Sequence, residues 1–369
     1  MRIAVIGAGP VGCYAAALLT KKGFEVDLFD QKDDSEIGCP IQCTGLLTSE
    51  IAKYIKIKPD FLVNTFEKIE VIAPNQKRLV VNKKEFLVDR TKFDQYLLDL
   101  AIKFGAKFYA GHKLIKVTKN KKNKHNLIFR YDNKLKIISP DLILGADGPQ
   151  SSLYNYLNPS RRRVYYYGIQ ALVKGKFNPT AYQTFFGSKV CPGLFAWVVP
   201  ESKDRARIGL ATTKKPAAYF IQLLKQLKIK QSQILEKQGG IIPLFDPQAR
   251  THHQNIFLLG DAAGQVKATT LGGIIPGFQE ARNLVNSLVK KERYKPRLKS
   301  LKLHLSLRKM LNRFSDPDYN RLIKILSTKK SQQIIQQHSR ENPKAMLANL
   351  LFNEPKLLMF SKHFFNKKN

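Results

Sequence analysis

Residues 2–30 read RIAVIGAGPVGCYAAALLTKKGFEVDLFD, and few folds accommodate that order of elements. An apolar run, Arg2 to Ile6, ends at glycines, as a buried parallel strand does. A helix-compatible stretch follows as far as Gly23, and a second apolar run, Glu25 to Asp30, restarts a strand. Strand, glycine turn, helix and strand in such succession form a βαβ unit, which implies a parallel sheet covered on both faces. In GAGPVG, Gly7 makes the turn, Gly9 lets backbone approach a pyrophosphate, and Gly12 lets helix pack on strand. Pro10 and Val11 stand at the helix N-terminus, where unpaired N–H groups favour an anion. Asp30, 18 residues past Gly12 and followed by Gln31, suits a carboxylate that grips ribose hydroxyls. An acid there disfavours a phosphorylated ribose, so the spacing predicts a dinucleotide site that does not take NADP.

Two later stretches repeat the strand-to-glycine pattern. DLILGADGPQSSL (141–153) puts Asp147 and Gly148 at the end of an apolar strand, with Ser151 after them. NIFLLGDAAGQVKATTLGGIIPG (255–277) puts Gly260 and Asp261 at the end of another. Helical sequence restarts near Gly272, Gly273 and Ile274, where an inward-pointing N-terminus would favour negative charge on a reduced cofactor ring. Arg90 opens an amphipathic helix, RTKFDQYLLDLAIKF, that Gly105 ends. Residues 61–88 and 161–212 alternate as strands with aromatic faces, including VYYYGIQALV, AYQTFFG and FAWVVP, and predict an antiparallel sheet. Helical periodicity returns at 215–228 and about 275–291, YDNKL suits a tight hairpin, and the lysine run at 119–124 suits a solvated hairpin tip. The predicted class is α/β, α+β overall. A discontinuous dinucleotide-binding domain (1–60, 86–160 and 239–291) carries an antiparallel-sheet substrate domain (61–85 and 161–238). A basic helical region (292–369) follows.

GAGPVG, Arg90, GADG and FLLGDAAG, in this order and spacing, resemble the signatures of glutathione-reductase-type FAD-dependent oxidoreductases. Within that superfamily the sequence resembles the geranylgeranyl reductase family, which saturates isoprenoid chains of archaeal membrane lipids and of chlorophyll precursors. The family's Pro-x-x-Cys-Gly loop is matched by Pro40, Cys43 and Gly45, with Thr44 inserted. Its Tyr-x-Trp-x-Phe-Pro motif is matched by Phe195, Trp197, Val199 and Pro200, and Gly-Asp-Ala-Ala-Gly stands unchanged at 260–264. Ala268 and Leu271 replace a proline and a glycine usual after that segment.

The resemblance covers roughly residues 1–290 and implies a Rossmann-like, three-layer ββα FAD domain. FAD would be held by the first glycine turn with Asp30 and Gln31, by Cys43, Thr44 and Gly45, by Arg90, by Asp147 and Gly148, and by Gly260, Asp261, Gly272, Gly273 and Ile274. The resemblance places Cys43 beside the redox face. It would act there as a proton donor for the second carbon of a C=C bond, or as a small, soft packing residue. Phe195, Trp197, Pro200, Phe185 and Tyr167 would bind the isoprenoid chain, although Trp197 also suits a plain core aromatic. No second GxGxxG is present, so electrons would come from an external nicotinamide, deazaflavin or ferredoxin.

Lysine and arginine total 63 against 28 acids, a net charge of +35. Residues 290–369 hold 20 of the bases and 5 of the acids, with Leu301, Leu303, Leu305, Leu307, Met310 and Leu311 among them. Basic amphipathic helices suit an anionic membrane surface, and a lysine-rich composition without functional content is the plain alternative. No nucleic-acid-reading motif is present, so no specific nucleic acid is expected; a flavin-bearing RNA-binding protein is the non-enzymatic reading of the charge. An FAD-dependent monooxygenase shares the glycine stations and is the second enzymatic reading, which the Cys43 loop and FAWVVP tilt against. Four cysteines are too few for a disulfide framework, and His252-His253, without a carboxylate cluster, read as loop, so no metal is expected. Cys13 falls on the apolar face of the first helix. No run of eighteen apolar residues spans a membrane, and the N-terminal stretch lacks a signal-peptide cleavage site. The expectation is a cytoplasmic protein associated peripherally with the membrane.

Overall fold

A computed structural model describes residues 1–121 and 123–365; residue 122, within the lysine run, lies outside the described residues. The chain opens with β1 (Arg2–Ile6), α1 (Pro10–Lys21) and β2 (Glu25–Phe29). A short β3 (Leu46–Thr48) precedes the long pair β4 (Leu62–Ile72) and β5 (Arg78–Val88), and α2 (Arg90–Lys103) follows. Strands β6 (Lys107–Tyr109), β7 (Lys113–Lys119), β8 (His125–Tyr131), β9 (Lys134–Ile138) and β10 (Leu142–Gly145) lead to α3 (Ser152–Leu157). Next come β11 (Tyr165–Lys174), β12 (Ala181–Phe185), β13 (Phe195–Pro200), β14 (Arg205–Thr212) and α4 (Pro216–Gln226). β15 (Ile234–Pro243), β16 (His252–His253) and β17 (Ile256–Leu258) precede α5 (Ile274–Val289). The tail is helical: α6 (Lys299–Leu311), α7 (Asp316–Leu326), α8 (Lys329–Gln337), α9 (Pro343–Asn353) and α10 (Lys362–Phe365).

The first compact unit comprises residues 1–40, 90–164 and 242–301. Its sheet runs β16-β17-β10-β1-β2-β6, parallel except at the edge strand β16, where the His252-His253 pair forms a strand and not a loop. β1 and β2 are buried past their first residue, which is why both read as continuous apolar runs. Helix α1 packs between α2 and α5. Ala4, Ile6, Phe29 and Ile143 pack instead with Leu127, Phe129 and Ile138 of the small sheet β7-β8-β9, completing three layers. Phe29 stacks on Tyr109 at 4.7 Å and on Phe129 at 4.5 Å. Burial of such a ring contributes roughly 1.5–3 kcal/mol. The YDNKL hairpin turns on Asp132 and Asn133, whose left-handed φ of 45° and 57° suits short polar side chains.

The second unit comprises residues 41–89, 165–241 and 302–369. Its sheet runs β15-β11-β14-β13-β12-β4-β5-β3, and β4 joins β12 in parallel. Residues 41–60 belong with this sheet because β3 pairs with β5. The tail belongs with it too. Ile323 of α7, with Leu326 and Ile335, packs among Phe66, Ile69, Leu79 and Val81, and Met310 and Phe314 pack against a tail core of Ile334, Leu350, Leu357 and Phe360. The apolar stripe of α6 is therefore taken up in internal packing: Leu305 is buried, and Leu303, Leu307, Met310 and Leu311 are half-buried. A polar latch reinforces this. Arg340 pairs with the fully buried Glu85 at 2.6 Å, Tyr182 donates to the same carboxylate at 2.9 Å, and Lys83 donates to the carbonyls of Ile335 and His338. Burial lowers the Lys83 pKa, and the nearby Arg340 charge lowers it further.

Candidate functional site

In the first unit, β1 hands over to α1 with no room for side chains. Gly7 has φ +102°, and a Cβ there would fall 2.3 Å from the Ala146 carbonyl oxygen. A Cβ at Gly12 would fall 1.9 Å from the Gly7 oxygen, so helix meets strand closer than any other residue permits. Gly9 differs: a Cβ there would meet nothing within 4 Å, and its φ of −72° suits any residue. The protein itself does not need glycine at position 9, and the open space in front of it suits a group that must approach the backbone closely. No side chain caps α1, its first turn holds no acid, and Pro10 occupies N1. The first-turn N–H groups therefore present the positive end of the helix to that open space. Asp30 Oδ2 accepts from Ala8 N–H at 2.7 Å and Oδ1 from Lys32 N–H at 2.9 Å, which braces the turn and leaves further lone pairs on each oxygen. Gln31 beside it is exposed. Open space, uncapped amides and a braced carboxylate together fit a dinucleotide.

The second and third glycine stations are fastened to each other by Arg163. Its Nη1 donates to Pro149 O at 2.8 Å, and Nη2 to Asp261 O at 2.8 Å and Ala262 O at 2.7 Å, with the guanidinium over the Tyr154 ring. Arg163 lies in an Arg-Arg-Arg run that reads as surface charge, which is why sequence reasoning passes over it. Asp147 serves the start of α3: it accepts from Ser151 Oγ at 2.6 Å and Ser152 N–H at 2.8 Å, while Gly148 turns at φ +76°. Burial raises the Asp147 pKa against these hydrogen bonds. Burial likewise raises the Asp261 pKa, opposed by the charges of Arg163 and Arg90.

Gly260 and Gly277 both face Val11, where added Cβ atoms would fall 3.0 Å and 2.5 Å from its side chain, so the third station and α5 close directly on α1. Gly273 begins α5 at Ile274 with no side-chain cap, and a Cβ on it would fall 2.9 Å from Asp261 Oδ1. A Cβ on Gly272 would fall 3.1 Å from the Lys267 side chain. Arg90 grips Asp94 with two hydrogen bonds, 2.9 and 2.8 Å, as a largely buried pair one turn apart. Cys13 is core, its Sγ donating to Ala8 O at 3.1 Å.

In the second unit, the cysteine loop and the aromatic strand meet at one side chain. Gln170 Oε1 accepts from Thr44 Oγ1 at 2.8 Å and from Trp197 Nε1 at 3.3 Å, and Gln170 Nε2 donates to Gln238 at 2.6 Å. The indole lies on Gly209, where a Cβ would fall 2.7 Å from Cζ2. Arg207, buried and paired with Glu201 at 2.7 Å, donates to Thr44 O at 2.7 Å. Half-buried Cys43 accepts from Gly45 N–H at 3.4 Å, and Gly45 turns at φ +82° against the Val88 carbonyl. Phe195 contacts Trp197 edge-on at 6.0 Å, Pro200 is buried, Phe185 is half-buried, and Tyr167 is 42% exposed on β11. Cys191 is buried, which pushes its thiol up to about 12. Gln170 and Gly209 carry no motif, and only the strand register brings them beneath Trp197. No cluster of three or more His, Cys, Asp or Glu that could hold a metal occurs among the described residues.

Known proteins resemble this chain in sequence and in fold. A family model described as an NAD(P)-binding Rossmann-like domain matches residues 5–38. The chain is 26% identical to digeranylgeranylglycerophospholipid reductase of Methanothrix thermoacetophila over 98% of each chain. It is also 26% identical to digeranylgeranylglycerophospholipid reductase 1 of Methanococcoides burtonii, over 74% of this chain and 70% of that one. A crystal structure of a geranylgeranyl bacteriochlorophyll reductase-like protein from Thermoplasma acidophilum superposes with a TM-score of 0.83 over 99% of both chains, at 19% identity. The chain is thus a relative of digeranylgeranylglycerophospholipid reductases, and it has the fold of a geranylgeranyl reductase-like protein.

Proposed function

We propose that this chain is an FAD-dependent oxidoreductase that saturates C=C bonds of geranylgeranyl chains in the assembly of archaeal-type membrane lipids. The observation that carries the reading is Gln170, whose one oxygen receives both Thr44 of the cysteine loop and Trp197 of the aromatic strand. These are the two segments in which the chain resembles the reductase family, and they form one construction within one unit. The likeness to named reductases along nearly the whole chain supports it.

FAD, when bound, supplies the hydride chemistry that an isolated double bond requires. The chain's part is to hold and to protonate. The Gly7–Gly12 turn and the α1 N-terminus receive the pyrophosphate, Asp30 the ribose, and Asp261 with the Gly273–Ile274 terminus of α5 the remainder of the cofactor. Cys43 is the group we assign to deliver the second carbon's proton, with Gly45 and Thr44 fixing its loop. Phe195, Trp197 and Phe185 offer aromatic surface for the chain. An external donor supplies the electrons, since no second GxGxxG is present.

We further propose that the protein binds an anionic membrane surface peripherally. None of the described helices is long and apolar enough to cross a membrane. Exposed apolar side chains gather at the end of the tail: Phe352 is 85% exposed and Leu358 57%, with Met359 and Phe364 nearby in the chain and exposed lysines Lys356 and Lys362 among them. Each basic residue near such a surface contributes about 1 kcal/mol, and apolar insertion adds a part that salt does not screen.

Three outcomes are expected. Gly9→Val should give folded, colourless protein, because the new side chain enters open space that only the pyrophosphate needs, whereas Gly12→Ala should cost stability through its collision with Gly7 O. Full flavin absorbance in purified Gly9→Val would refute the assignment of the turn. Cys43→Ala should keep FAD yet slow reoxidation of the reduced flavin by a geranylgeranyl lipid by about 100- to 10,000-fold in single-turnover experiments. An unchanged rate would leave Cys43 as packing only. In flotation assays anionic vesicles should carry the protein, raised salt should release part of it, and the Phe352→Ser, Leu358→Ser double variant should lose the salt-resistant remainder. Equal flotation with neutral vesicles would remove the role of charge.

A further inference from the structure

Arg308 is among the largest fully buried side chains, 1% exposed on α6 in the second unit. No described acceptor lies within hydrogen-bonding distance of its Nε or Nη1, and Nη2 reaches Tyr319 Oη only at 3.5 Å. The Tyr319 hydroxyl itself donates to Leu311 O at 3.0 Å. Asp316, an acid whose charge reaches Tyr319, accepts instead from Ser188 N–H at 2.8 Å and Ser188 Oγ at 3.0 Å. Other buried charges of this unit have partners: Glu85 has Arg340, and Arg207 has Glu201. A guanidinium withdrawn from water without an anion is strongly unfavourable, and a planar fork of donors matches a phosphate.

The position of Arg308 relates it to the aromatic strand. Tyr319 stacks on Phe186 at 5.2 Å, Phe186 lies 6.0 Å from Phe195, and Phe195 lies 6.0 Å from Trp197. Trp197 shares Gln170 with Thr44 of the cysteine loop. A ladder of rings thus runs from the cysteine loop to an unanswered buried cation, apolar along its length and positive at its far end. We propose that Arg308 receives the phosphate of the lipid substrate, so that the headgroup is anchored at one end of the ladder while the isoprenoid chain lies along the rings toward Cys43. This rests on the proposed reduction of geranylgeranyl lipids and adds to it the group that selects a phosphate-bearing substrate over a free prenyl alcohol.

Trp197 is the single tryptophan, so its fluorescence reports binding along the ladder. Wild-type holoenzyme should bind dodecyl phosphate about 10- to 100-fold more tightly than dodecanol, the range expected for hydrogen bonds to a charged group. Arg308→Met should bind the two alike while keeping its flavin and melting no lower than wild type, since an unpaired buried charge has been removed. Arg308→Lys should retain part of the preference. Equal affinities in the wild type, or a phosphate preference that survives in Arg308→Met, would overturn the proposal. Inorganic phosphate binding as tightly as dodecyl phosphate would overturn it too, by making this a free-anion site. If Arg308→Met fails to fold, the Arg308→Lys comparison and the wild-type affinities still decide. Wild-type enzyme that reduces neither geranylgeraniol nor geranylgeranyl phosphate would count against the proposed function alone, because the binding comparison does not depend on turnover.

Discussion

A side chain at residue 12 would begin 1.9 Å from the carbonyl oxygen of Gly7, and this near-contact of α1 with β1 sets the geometry of the whole first unit. It brings the helix N-terminus to the end of the strand, where Asp30 holds the intervening turn through the Ala8 N–H. Gly260 and Gly277 then close on Val11, so the third station and α5 pack directly on α1. Arg163 ties the second station to the third. Three stretches far apart in sequence are thereby brought together, with the uncapped N-termini of α1 and α5 among them. Such termini favour negative charge on whatever they face.

The second unit works by a different rule. Its aromatic strand is fixed from beneath by the absence of a side chain at Gly209 and from the side by Gln170, which also receives Thr44. The residue that departs from the family's cysteine-loop pattern is therefore the one that fastens the loop to the sheet. Charge in this unit is turned inward. Arg340 and Lys83 latch the helical tail to β5, and Arg207 holds the loop carbonyl. The +35 net charge is thus not a uniform coat of solvated lysine, because several of its cations are structural.

Much of this was legible in the sequence, and what was not has definite causes. Glycine spacing disclosed the first turn because close approach permits only one residue type at positions 7 and 12. Periodicity disclosed α2, α4 and α5, and alternation disclosed β11 to β14, because each buries one face. Arg163, Arg308 and Arg340 were invisible for the opposite reason: in a lysine-rich chain an arginine engaged in internal contacts looks like any other surface base. The tail's leucines at helical spacing read equally as a membrane face or an internal one, and only the packing of Met310 and Phe314 against Leu350 and Phe360 distinguishes them. The parallel pairing of β4 with β12 joins segments more than a hundred residues apart, beyond the reach of any local signal. Asp147 matches a cofactor motif, and its carboxylate also accepts from Ser151 Oγ and Ser152 N–H at the start of α3, a local role that the motif does not disclose.

The central claim is that reducing equivalents leave the flavin for a carbon–carbon double bond. The measurement that tests it most directly is stoichiometric: photoreduce the purified protein without oxygen, add a geranylgeranyl glycerophospholipid, follow flavin reoxidation, and weigh the lipid by mass spectrometry. The account predicts a lipid that gains two hydrogen atoms for each flavin reoxidised. Reoxidation that requires oxygen and yields an oxygenated lipid would contradict it, as would a reduced flavin that the lipid leaves unchanged.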